Sequence, residues 1–269
     1  MYHRNILPKK ALGQHFLKDS GIARRIAETL SDYHGLPVLE VGPGAGVLTR
    51  FLLDAAHDLS VVEVDRESVE YLHRHFPALE GRILSADFLQ LDLTGLYPAG
   101  TPFCIIGNYP YHISSQIFFK ALDYREQVVC CSGMIQKEMA ERIAAGPGSK
   151  TYGIISALIQ PWYDVEYLFT VSEEVFDPPP KVKSAVIRMT RNQRKALDCD
   201  EQLYRKVVKT SFNQRRKTLR NSMKPLLGKD FPDYAQPIFD LRPEQLSVEQ
   251  FMELTRKTES YFARNGLGQ

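Results

Sequence analysis

The stretch VLEVGPGAGVLT, Val38 to Thr49, runs from a short β-branched segment through three alternate glycines into an amphipathic one. PVLEVG (37–42) reads as a strand and GVLTRFLLDAA as a helix, so Gly42, Gly44 and Gly46 fall between them. Glycine there lets the backbone turn sharply and lie close against a ligand, ahead of a helix N-terminus. Glu63 closes the next strand 21 residues after Gly42, where a carboxylate can accept from both hydroxyls of a ribose. Dinucleotide-binding sheets share both features. They place the third glycine where Val47 stands, however, and the Gly-x-Gly-x-Gly spacing here suits a nucleoside whose tail is an amino acid. Further on, SADFLQLD offers Asp87 as acceptor for an adenine amino group and Phe88 as a surface for its ring; a turn or cap is the other reading of Asp87.

Working outward, short apolar runs at 59–65, 82–87, 103–108 and 128–136 read as further strands, with helical patterns such as ESVEYLHRHF between them. This alternation argues for a parallel sheet covered on both faces. Runs at 164–172 and 184–190 follow one another without a helix and are expected to pair antiparallel at one edge. FDPPPK, between them, cannot be helical because proline removes donors and fixes φ. After about residue 190 the pattern is helical only. Ser247 with Gln250 makes a capping-box signature ahead of Phe251, Leu254 and Phe262. The expected organisation is a sheet domain over 1–191 and a small helical domain over 192–269.

A chain of 269 residues has room for one large and one small domain, and 43% hydrophobic with 25% charged residues is ordinary globular composition. No apolar run reaches the roughly 18 residues of a membrane span. MYHRNILPKKALGQHFL is basic without an apolar signal core, so a cytoplasmic location is expected. The four cysteines lack Cys-x-x-Cys spacing and read as reduced thiols; no metal is expected. Net charge is +2, yet Arg205–Lys224 carries eight Lys and Arg and no acid, leaving the rest at −6. That asymmetry points to a local polyanion contact, or else to a solvated helical face.

GNYPYHIS, Gly107 to Ser114, ends the fourth strand on the edge where open α/β sheets bind ligands. An exocyclic amine on a base is a poor nucleophile because its lone pair is delocalised. Two acceptors aimed at its protons localise that pair: the Asn108 side-chain oxygen and the Tyr109 carbonyl, with Pro110 stiffening the turn. Tyr111 offers a flat face to the ring. A base inside a duplex must be flipped to enter such a slot. Phe176, on the proline-rich loop, is either a second aromatic wall or an ordinary loop anchor.

These residues resemble the ribosomal RNA adenine N6-dimethyltransferases. The likeness runs in order through KKALGQHFL, LEVGPGAGVLT, VEVD, ADFL, GNYPYHIS, QKEMAERI, FDPPPKVKSAV and FNQRRKTLRNS, nearly the whole chain. It implies a Rossmann-like class I S-adenosylmethionine-dependent methyltransferase sheet with an antiparallel edge strand, plus a small all-α C-terminal domain facing RNA. It implies S-adenosyl-L-methionine as cofactor, contacted by His15, Leu17, Gly42, Gly44, Glu63, Asp87, Phe88 and Asn108. The expected partner is 16S rRNA in the small ribosomal subunit or its precursor, met by a monomer. Arg215, Arg216, Lys217 and Arg220 are the expected phosphate contacts. Two positions depart from the family: His15 stands where Asn is usual, and Tyr109 where Leu is usual.

Other readings share these motifs. An Asn-x-Pro-Tyr turn also serves transfer to cytosine N4 or a glutamine amide, and large-subunit rRNA methylases share the catalytic set. A ribosome-assembly factor with secondary catalysis is a further reading, against which the intact motifs weigh. FDPPPKVKSAV and RRKTLRNS favour the small subunit, for which the resemblance implies dimethylation of two adjacent adenosines in an rRNA loop near the 3′ end.

Overall fold

Strand runs that are apolar on both faces can be buried only inside a covered sheet, and the centre of this molecule is built from them. The computed structural model describes residue 9 and residues 13–266; residues 10–12 of the KKALGQHFL motif lie outside these. In chain order the strands are β1 (Phe16–Leu17), β2 (Pro37–Val41), β3 (Asp58–Glu63), β4 (Ile83–Ser85), β5 (Phe103–Asn108), β6 (Val128–Gln136), β7 (Tyr163–Val171), β8 (Phe176–Asp177) and β9 (Ser184–Arg191). Seven form one sheet in the order β4-β3-β2-β5-β6-β9-β7. β2 pairs parallel with β3 and β5, and β5 with β6, whereas β9 runs antiparallel to β6. The reversed strand therefore lies one in from the margin, with β7 as its outer neighbour.

The described residues fall into two compact units. The first holds the residues up to Ala140 and Asp164–Arg191. Helices α1 (Ser20–Ala27) and α2 (Val47–Asp54) cover one sheet face. Ala23, Ile26, Leu48 and Leu52 pack there against Val38, Val61, Ile106 and Met134, all buried. α3 (Arg66–His75) and α4 (Ser114–Asp123) are the other helices flanking these strands in sequence. A separate two-residue ladder joins the N-terminal motif to the proline loop: Phe16 pairs with Asp177 and Leu17 with Phe176, and Lys18 N–H donates to the Val175 carbonyl at 2.8 Å.

The second unit takes in Glu141–Tyr163 as well as the residues from Asn192. It contains the end of α5 (Lys137–Ala144), then α6 (Ile154–Ile159), α7 (Glu201–Asn213), α8 (Leu219–Ser222), α9 (Lys224–Leu227) and α10 (Val248–Asn265). Residues 141–163 precede the sheet's last two strands in sequence, yet their partners are helical. The Tyr204 hydroxyl donates to the Ala157 carbonyl at 2.8 Å, Tyr152 lies 6.1 Å from Phe212, and Gly148 N–H reaches the Glu244 carbonyl. α10 begins with the expected capping box: Ser247 Oγ accepts from Gln250 N–H, and Gln250 Oε1 from Ser247 N–H. Among the described residues no helix is long and apolar enough to cross a membrane.

Candidate active site

The strand order reverses between β2 and β5, and a cavity of about 250 Å³ opens at the carboxyl ends of the strands there. All twelve residues assigned to catalysis and cofactor from sequence line it: His15, Leu17, Gly42, Gly44, Glu63, Asp87, Phe88, Asn108, Tyr109, Pro110, Tyr111 and Phe176.

The glycine turn does what its spacing requires. Gly42 has φ +70° and open space where a Cβ would stand, so its backbone faces the cavity bare. Gly46 has φ +74° and caps α2; a Cβ there would meet the Phe76 ring. Glu63 is 4% exposed and already organised by backbone donors, with Gly44 N–H on Oε2 at 3.0 Å and Asp65 N–H on Oε1 at 2.9 Å. Burial raises its carboxyl above the usual range while those two amides oppose the rise. Asp87 is exposed and spends Oδ1 on Leu89 N–H, so the turn role is real and Oδ2 is the oxygen left for a ligand. Phe88 is buried beside it.

At the second strand end, Asn108 Nδ2 donates to the His15 backbone carbonyl at 3.2 Å. In the turn that follows, Ile113 N–H takes the Pro110 carbonyl and the Ser114 hydroxyl takes that of Tyr111; no such bond is made to the Tyr109 carbonyl among the described residues. The Tyr109 side chain turns inward, 1% exposed, and its hydroxyl donates to the Ser132 carbonyl at 2.7 Å. Its ring lies where Cβ atoms at Gly107 and Gly133 would be, so two glycines make room for the larger residue at this position. Tyr111 is half-buried; its hydroxyl bonds Ser184 Oγ at 2.6 Å, and its ring lies 5.6 Å from that of His15 at an interplanar angle of 29°. His15 Nδ1 in turn bonds the Pro178 carbonyl at 2.8 Å. Phe176 lines the cavity but is 1% exposed and belongs to the core as well.

Sequence reading passed over three contributors. Glu40 lines the cavity at 1% exposure; burial pushes its carboxyl up to about 8, against the pull of the Thr49 hydroxyl at 2.7 Å. An acid inside an otherwise apolar strand was the available signal. Val64, next to Glu63, lines the same cavity at 53% exposure and presents apolar surface to it. Lys9 bridges Asp65 at 2.5 Å and Glu67 at 3.1 Å, tying the N-terminal motif to the end of β3. Burial alone would raise the Asp65 carboxyl; hydrogen bonds from Lys9 and Ser68 outweigh it and hold it low.

The basic residues lie in the helical unit. Arg215, Arg216 and Lys217 are exposed between α7 and α8, with the Arg215 guanidinium also donating to the Lys150 carbonyl. Arg220, inside α8, is already met by Asp240. Among the described residues no group of three or more His, Cys, Asp or Glu is placed to hold a metal ion.

A family model described as ribosomal RNA adenine dimethylase matches residues 6–258. The chain is 71% identical to the ribosomal RNA small subunit methyltransferase A of Parabacteroides distasonis, over 97% of each chain. It is 64% identical to the protein of that name from Bacteroides thetaiotaomicron, over 94% of this chain and 95% of the other. Among solved structures, a dimethyladenosine transferase from Plasmodium falciparum superposes with a TM-score of 0.72 at 22% identity, covering 94% of this chain and 98% of its own. The 23S rRNA methyltransferase ErmE superposes with a TM-score of 0.67 at 27% identity, over 90% and 99%.

Proposed function

The chain belongs to the ribosomal RNA adenine dimethylase family, and from that premise we propose that it dimethylates N6 of two adjacent adenosines in a small-subunit rRNA loop near the 3′ end, during assembly of that subunit. One observation carries the choice of subunit: 71% identity, end to end, to a relative named for the small subunit, against 27% to one named for 23S rRNA. The sheet unit is assigned catalysis and the helices from 192 onward the RNA grip, in a cytoplasmic monomer.

The cavity fits S-adenosylmethionine. Gly42 leaves its backbone bare, Glu63 is a pre-oriented acceptor for ribose hydroxyls, and Asp87, Phe88 and Val64 offer one acceptor and apolar surface to an adenine. When bound, the cofactor supplies a methyl group on cationic sulfur. The remaining work belongs to the chain. Asn108 Oδ1 and the Tyr109 carbonyl accept the two N–H groups of the target amine and draw its nitrogen toward sp³. Tyr111 stacks on the extruded base, its ring fixed by Ser184. No charged base is needed beforehand, because the amine proton becomes acidic once the nitrogen has been alkylated.

The test offers radiolabelled S-adenosylmethionine and the protein to undermethylated small subunits, large subunits and a release factor bearing a glutamine acceptor. Label on two neighbouring adenines of small-subunit rRNA is expected. Label on either of the other two acceptors instead would sink the assignment.

A further inference from the structure

Val64 and Val182 are the large hydrophobic side chains left exposed among the described residues. Val64 is accounted for by the cavity it lines. Val182 is 47% exposed, and nothing in the fold accounts for it. It sits between Lys181 and Lys183, both exposed, and neither ammonium meets a carboxylate within 4 Å among the described residues. Asp177 is the one acid in the run FDPPPKVKS.

The position of this triplet is set at both ends. The Pro178 carbonyl is held by His15 Nδ1 at 2.8 Å, and Ser184 Oγ by the Tyr111 hydroxyl at 2.6 Å; His15 and Tyr111 both line the cavity. Between these anchors Lys137 N–H fixes the Lys183 carbonyl at 3.0 Å. Lys181 is three residues from Ser184, so at most roughly 11 Å of chain separates it from the residue that orients Tyr111. Three prolines restrict the preceding backbone, which lowers the cost of ordering the loop against a ligand. Two unpaired cations and an exposed apolar side chain thus stand on a braced loop whose two ends are tied to cavity-lining residues.

We infer that Lys181, Val182 and Lys183 form an RNA contact on the sheet unit itself, holding the phosphates and sugar beside the base being methylated. The inference rests on the RNA substrate proposed above. Phosphate contacts of this kind fix position without reading sequence. A flipped base brings its own flanking phosphates to the mouth of the slot that receives it, and this loop is anchored to two residues of that slot, His15 and Tyr111. The contact is separate from Arg215, Arg216 and Lys217, which belong to the other unit.

The full-length K181Q/K183Q variant tests this by equilibrium binding to an RNA hairpin carrying the target loop, over a series of salt concentrations. Affinity should fall by about tenfold at low salt, and the slope of log K against log salt should become shallower by about 1.4, near 0.7 per single-strand contact. Cofactor affinity and melting temperature serve as controls for folding. K181R/K183R should regain the wild-type slope. An unchanged slope in the Gln variant, or an Arg variant that binds no better than it, overturns the contact. Wild-type protein that methylates no ribosomal RNA at all would instead sink the function proposed above.

Discussion

The carboxamide nitrogen of Asn108 donates to the backbone carbonyl of His15 at 3.2 Å. An amide has two ends, and this bond decides which is free: with nitrogen committed to the His15 carbonyl, the oxygen is left open, as the reaction proposed above requires of it. The group that His15 gives to this bond is one every residue carries, so the contact with Asn108 does not depend on histidine at 15.

Asn108→Ala should therefore remove one of two acceptors for the target amine. An unmodified adenine offers two N–H bonds, a monomethylated one only a single N–H, which the Tyr109 carbonyl alone can accept. Single-turnover transfer to unmodified RNA is expected to slow roughly 10²–10³-fold. Transfer to monomethylated RNA should slow distinctly less. Equal losses on the two substrates would rule this division of labour out.

Glu40 gives a stability signature in pH. Its carboxyl is raised from the usual 4.5 to about 8, so the folded state holds a proton that the unfolded state releases. Stability from this group is full below the ordinary carboxylate range and is lost as pH rises toward about 8. In Glu40→Gln, which imitates the protonated form, the melting temperature should lose that decline. Parallel curves for wild type and variant across the window would refute the buried proton.

Gly133→Ala should destabilise the sheet unit by about 1–3 kcal/mol, because the new methyl meets the Gly107 carbonyl and the Tyr109 ring together. Denaturant midpoints will show it. Gly95→Ala is the control, since nothing lies within 4 Å of a Cβ there.

Replacing Arg215, Arg216 and Lys217 by Gln should weaken RNA binding across sequences and flatten its salt dependence, by about 0.7–0.9 in slope for each lost phosphate contact. Arg220→Gln should do less, because Asp240 already neutralises part of that charge. The ranking is read from binding isotherms, and a dominant Arg220 effect would reverse it.

Much of this was legible in the chain. Strands buried on both faces, such as Phe103–Ile106, announce themselves as unbroken apolar runs, and Gly42 and Glu63 carry their meaning in spacing. What escaped is what depends on distant partners. The ladder of Phe16–Leu17 with Phe176–Asp177 is two residues long on each side, too short for any period to show. Residues 141–163 are held by Tyr204 and Phe212, some fifty residues further on, so their allegiance has no local trace. Ser184 looks like the start of a strand, and only the structure reveals it as the anchor of Tyr111.

That short ladder also bears on how the two methyl groups arrive. The N-terminal residues and the proline-rich loop, which both contribute to the cavity lining, are one ribbon, fastened at Leu17–Phe176 and again at His15–Pro178. In the function proposed above, loosening this ribbon to exchange spent cofactor would free the wall beside the base as well. Turnover should be distributive, with singly modified RNA building up early in a time course before the doubly modified product overtakes it.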